Sequence, residues 1–273
     1  MKGKLLIIDP QNDFCDIPGA ALPVVGAAAD LVRVSRLVRE AGAALSSITV
    51  TLDTHPQVAI ERVSFWEGAS GDPVAPFTQV TESQVRAGLY LPRRRELLSE
   101  VITYLHDLEA AGRYRLTVWP VHCVLGTAGH NIHATLAAEI ATWEERYQTP
   151  SIKVLKGLNP MTEQYSAVRA EVPRADDPAT DSNQALLAQV RPADDEILLI
   201  AGEAGSHCVR ATTLDILESL TPEARGRVLL LTDCMSSVTG FEREMQEFLT
   251  QAIDEGVGLA TSEEALRRLV GQR

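Results

Sequence analysis

Short aliphatic runs alternate along the chain with stretches whose apolar residues recur every three or four positions. Leu5–Ile8 is apolar without a break, as expected of a strand buried on both faces of a parallel sheet. Leu31, Val34, Val38 and Ala41 then mark one face of a helix that stops near Gly42. Ile48–Leu52 predicts a second strand, and Leu97, Val101, Leu105 and Leu108 a helix closed by Gly112. Leu116–Trp119 predicts a third strand, and helical spacing returns at Ile132, Leu136, Ile140 and Trp143. Ile152–Leu155, Ile197–Ala201 and Val228–Thr232 also read as strands. The last two lead into helices, one after Cys208 and one around Phe241, Met245 and Phe248. Val257–Ala260 ends the sheet, and Thr261 with Glu264 can form a capping box for a final helix.

This alternation predicts an α/β protein of three αβα layers around a doubly wound, mostly parallel sheet of six strands. Loop signals crowd residues 67–96 and 170–195. They read as excursions from one domain spanning residues 1–273, with a helical segment inserted near 67–112.

Charge narrows the partners. The 273 residues carry 25 Lys and Arg against 37 Asp and Glu, a net charge of −12. Nucleic acid is therefore excluded as the expected partner, because phosphate binding needs clustered cations. The one basic run, Arg93-Arg94-Arg95, reads as a solvated helix start. No stretch of 18 apolar residues is present, so no membrane span is expected. The first apolar run stops at Asp9 and reads as a strand, not a secretion signal. Cys15, Cys123, Cys208 and Cys234 form neither a zinc pattern nor a disulfide framework, so a reducing, cytoplasmic setting is expected.

In such sheets ligands bind beyond the carboxyl ends of the strands, and four strand ends here carry reactive side chains. Asp9 follows the first strand directly and is either a turn residue or a used acid. Asp53 and His55, two apart on extended chain, point the same way. His122 follows the next run and can join them, giving one carboxylate and two imidazoles suited to zinc, iron or manganese. His130 and His133 share a helical face and compete as ligands, whereas His106 and His207 read as ordinary. Cys208 stands at a helix start, where dipole and free N–H groups favour a thiolate; a buried inert cysteine is the alternative. Lys156 ends a strand, snorkelling or paired with an acid.

Together these residues resemble the nicotinamidase / isochorismatase-like cysteine hydrolase superfamily. Asp9-Pro10-Gln11-Asn12-Asp13-Phe14 is similar to that family's opening segment, and Asp53-Thr54-His55 and Trp119-Pro120-Val121-His122-Cys123-Val124 to its metal segments. Lys156-Gly157 with Glu163-Gln164-Tyr165-Ser166-Ala167 resembles the lysine segment. Gly202 to Val209, and Thr239-Gly240-Phe241-Glu242, resemble the nucleophile turn and a late helix start. The resemblance implies a catalytic triad of Asp9, Lys156 and Cys208 and an oxyanion hole from the N–H groups of Ala204 and Cys208, with a cis peptide before Ala204. It implies aromatic walls from Phe14, Trp119 and Tyr165. It also implies one divalent ion on Asp53, His55 and His122, zinc before iron or manganese, with Glu61 as a further candidate ligand. The implied reaction is hydrolysis of nicotinamide to nicotinate and ammonia through a thioester, by a homo-oligomer. Another small amide, carbamoyl or maleamate-like, and a non-catalytic scaffold are the competing readings. The turn Ala204-Gly205-Ser206-His207 departs from the Ala-Thr-Asp-like sequence of relatives, and the chain between His55 and His122 is longer than in small ones.

Overall fold

The computed structural model describes residues 1–271. Six parallel strands form the central sheet: β1 (Lys2–Ile8), β2 (Leu45–Asp53), β3 (Ile152–Lys156), β4 (Glu196–Gly202), β5 (Val228–Leu231) and β6 (Gly258–Ala260). Their spatial order is β6-β5-β4-β1-β2-β3. Successive side chains of a strand face opposite layers, and the core divides accordingly. Leu5, Ile7, Leu199, Ala201, Leu229 and Leu231 pack against α1 (Ala27–Ala41), α3 (Ala134–Tyr147) and α7 (Ser262–Val270). Leu6, Ile8, Leu198, Ile200, Val228 and Leu230 pack against α4 (Gln184–Val190), α5 (Cys208–Glu218) and α6 (Glu242–Asp254). The expected capping box is present at α7, where Thr261 and Glu264 satisfy each other's backbone N–H groups.

Two expectations need correction. Leu116–Val118 is a strand but does not join the central sheet; it pairs antiparallel with Thr78–Val80. The place beside β2 is taken by β3, which runs parallel to it from Thr49↔Ile152 to Asp53↔Lys156. The inserted segment is also not simply helical. It holds two antiparallel ribbons besides α2 (Leu98–Ala111). These surround a core of their own, in which Trp66, Tyr104, Leu105 and Val118 are buried with Ile60 and Val101.

Strand order sets the location of the site. β1 leads into α1 on one face and β4 into α5 on the other, so the chain diverges between two adjacent strands. A crevice opens there at their carboxyl ends. The two strands stay in register to Ile8↔Gly202, and a Cβ at Gly202, whose φ is +119°, would lie 2.0 Å from the Ile8 carbonyl oxygen. Only glycine closes this junction. We predict that Gly202→Ala lowers stability by more than about 3 kcal/mol, read as a fall in denaturant midpoint; an unchanged midpoint would contradict this packing.

Candidate active site

Each reactive residue is set by a strand end. Asp9 leaves β1 with φ +45°, a left-handed conformation that a short polar residue tolerates. Its N–H and carboxylate are both held by Thr51 of β2, whose hydroxyl donates to Oδ1 over 2.5 Å. Gln11 ties the next turn down by exchanging two hydrogen bonds with the Asp53 backbone, of 2.8 and 2.7 Å. Lys156 closes β3, and Gly157 lets the chain turn beside His55, where a Cβ would sit 2.6 Å from the ring.

The ammonium of Lys156 is where these ends meet. It lies 3.0 Å from Asp9 Oδ2, 2.6 Å from Asp53 Oδ1 and 3.5 Å from Cys208 Sγ. It also donates to the Gln164 carbonyl over 3.1 Å. Cys208 is the first residue of α5. The N–H groups of Ala204 and Cys208 donate to no other group among the described residues, and the Glu203–Ala204 peptide is cis.

Electrostatics bear on one expectation. Burial alone would strip the proton from Lys156, but Asp53 and Asp9 outweigh it and hold the lysine well above its usual value. Burial also pushes Cys208 up, and the nearby carboxylates oppose the help that Lys156 gives. Both effects push Cys208 toward the thiol, against the thiolate that the helix start favours. Asp9 is raised by burial against the pull of Lys156, which makes it a stronger base than an ordinary carboxylate.

The other oxygen of Asp53 faces two rings. His55 Nε2 lies 2.8 Å and His122 Nε2 3.3 Å from Oδ2. The three side chains are buried, and one donor atom from each lies within 4.8 Å of the other two. Glu61 is not part of this group; it stands behind His55, 3.0 Å from Nδ1. His130 bonds Thr54, and neither it nor His133, whose ring makes no capping bond to α3, belongs to the group formed by Asp53, His55 and His122. Arg62, fully buried, contacts Glu61, the Pro120 carbonyl and His122 Nδ1.

This donor set fits a divalent ion. One carboxylate and two imidazoles suit zinc, iron or manganese. Around the crevice the buried carboxylates Asp9, Asp53, Glu61 and Glu163 outnumber the buried cations Lys156 and Arg62 by two. That surplus pushes His55 up to about 9 through Asp53 although burial opposes it, and burial with Glu61 pushes Glu163 up to about 8. A dication bound here would take the place of the protons held by His55 and Glu163 in balancing the surplus. Glu61 Oε1, 3.0 Å from His55 Nδ1, favours a proton on that nitrogen and so leaves Nε2 free to ligate.

Phe14, Trp119, Tyr165, His207, Ala204 and Cys208 line the pocket above these groups. Its free volume is about 30 Å³, on the scale of a water or two. Trp119 donates to Glu163 Oε2 over 3.2 Å and to the Tyr165 hydroxyl over 3.1 Å. His207 is not the ordinary residue expected. It is buried among Trp119, Tyr165 and Phe241, with ring centroids 4.7–5.3 Å away. Burial, reinforced by Arg210, lowers it to about 3, so it serves as a neutral wall. Sequence reasoning assigned no role to His207, Glu163 or Arg62. For Arg62 a signal existed: Ile60-Glu61-Arg62-Val63 sets two charges inside an apolar run.

The fold is the one shared by nicotinamidases and isochorismatase-like hydrolases of known structure. Two similar structures are the Acinetobacter baumanii nicotinamidase/pyrazinamidase and the yeast nicotinamidase. The first is 17% identical, with a TM-score of 0.64 over 97% of this chain and 98% of that one. The second is 19% identical, with a TM-score of 0.65 over 94% and 99%. The Pyrococcus horikoshii pyrazinamidase, solved in complex with zinc, is 20% identical, with a TM-score of 0.55 over 96% and 99%. No protein-family model and no curated protein sequence matches the chain.

We predict that His122→Ala abolishes zinc binding measured by titration calorimetry, and that Glu61→Gln weakens it about 10–100-fold. Wild-type affinity in Glu61→Gln would remove Glu61 from the support of His55.

Proposed function

We propose that the protein is a cysteine amidohydrolase of the nicotinamidase type, converting nicotinamide or a closely similar flat carboxamide to the acid and ammonia. The observation that carries this reading is the single ammonium of Lys156, in contact with an acid and a thiol at the floor of an aromatic-walled pocket. The likeness to nicotinamidases and pyrazinamidases supports the same class of substrate. Walls of Phe14, Trp119 and Tyr165 suit a planar ring better than an aliphatic amide.

In the mechanism, Asp9 takes the thiol proton as Cys208 Sγ attacks the carboxamide carbon, and Lys156 stabilises the sulfur as its charge develops. The N–H groups of Ala204 and Cys208 donate to the oxyanion of the tetrahedral intermediate. Asp9 returns its proton to the departing nitrogen, ammonia leaves, and a thioester remains on Cys208. Asp9 then takes a proton from water, whose oxygen attacks the thioester; collapse releases the acid, and the proton returns to the sulfur. A divalent ion on Asp53, His55 and His122 would supply a Lewis acid for an electron-rich ring atom of the substrate.

Ammonia release from nicotinamide tests the reading. Cys208→Ala and Asp9→Asn are expected to lower kcat at least about a thousandfold. Comparable turnover in Cys208→Ala would refute the mechanism. An active wild type that ignores nicotinamide but cleaves an aliphatic amide would move the substrate assignment to the carbamoyl or maleamate class.

A further inference from the structure

Glu203 immediately precedes Ala204, yet its carboxyl group takes no part in the pocket. It is wholly buried. Oε2 accepts from the Ser236 N–H over 3.2 Å, and Oε1 meets no donor among the described residues. A second acid shares its partner. Asp30, buried in the first turn of α1, is held by the same Ser236 that holds Glu203. Asp30 already accepts from the Ser236 hydroxyl over 2.6 Å and from Arg33. Ser236 in turn accepts from Gly205 N–H over 2.7 Å, which fixes the residue after Ala204.

Two buried carboxyl groups bridged by one serine, with one guanidinium beside them, cannot both hold a charge in a dry interior. Sharing one proton also supplies the donor that Oε1 otherwise lacks. The groups facing Glu203 are Asp30 and Arg33 from α1 and Cys15 and Asp16 from the loop before it. Of these only Arg33 is a cation, and it is engaged by Asp30 and by the Asp233 carbonyl.

We propose that Glu203 is a positioning residue acting as a neutral acid, whose O–H bridges to Asp30 and so holds the Ala204–Gly205 turn in place. This rests on the proposed role of the Ala204 N–H in catalysis. Burial, reinforced by Asp30, agrees by holding Glu203 well above the usual carboxylate range.

The test compares wild type, Glu203→Gln and Glu203→Leu. Gln keeps both contacts, with its carbonyl accepting from Ser236 and its amide donating to Asp30. Leu keeps neither. With nicotinamide at neutral pH, Glu203→Gln should retain kcat within about twofold, and Glu203→Leu should lose about tenfold or more in kcat with little change in KM. Raising the pH ionises Glu203 in the wild type, so wild-type kcat should fall where that of Glu203→Gln does not. Folding supplies a second readout that needs no substrate. An acid raised in the native state contributes stability that is complete below its unfolded value of about 4.5 and is lost as pH rises through its native value. Wild-type Tm should therefore carry a downward slope with pH that Glu203→Gln lacks. Equal damage in Gln and Leu, or superimposable Tm–pH curves for wild type and Gln, would overturn the proposal. A differing Tm–pH slope in a protein inert to nicotinamide would instead keep the proton bridge and sink the substrate reading.

Discussion

One buried ammonium organises this molecule's chemistry. Taking a lysine out of water costs several kcal/mol unless opposite charge compensates it. Lys156, almost wholly enclosed, is compensated by two carboxylates at once. Each belongs to a different task. Asp9 faces the sulfur, and Asp53 turns its second oxygen to the imidazoles of His55 and His122. The nucleophile and the metal-competent group are therefore not separate sites that happen to be neighbours; they share a cation and a carboxylate.

Strand order makes this meeting possible. The two connections leaving β1 and β4 go to opposite faces, and the rim between them is where backbone ends are free to aim side chains at one point. β2 and β3 extend that rim by placing Asp53 directly beside Lys156 in the ladder. The insertion contributes from outside the sheet. Trp119 accepts no place in a ladder of the central sheet, but its backbone is tied to Glu61 and Val63, so the segment ending in His122 is delivered by the insertion.

How far this was legible in the sequence depends on how local each signal is. Unbroken aliphatic runs marked β1, β4 and β5 because both faces of a parallel sheet are covered there, whereas β2 and β3 carry Thr or Lys between their apolar residues. The same signal misplaced Leu116–Val118, since Leu116 and Val118 bury equally well in a small antiparallel ribbon. Asp9, Asp53, His55, His122, Lys156 and Cys208 stood out because a reactive residue directly after a buried run is unusual. The upward shift of Cys208 was not legible, because it depends on burial in the folded chain and on carboxylates more than a hundred residues away. His207 and Glu203 were silent for a similar reason. Their neighbours, Trp119 and Phe241 in one case and Asp30 and Ser236 in the other, are brought in by distant elements.

The account stands or falls on whether an acyl group passes through the Cys208 sulfur. Hydroxylamine added during turnover of nicotinamide intercepts a thioester directly. The expected result is nicotinohydroxamate, formed at the expense of nicotinate and rising with hydroxylamine concentration, while ammonia release continues. Nicotinate and ammonia produced with no hydroxamate at any hydroxylamine concentration would contradict it.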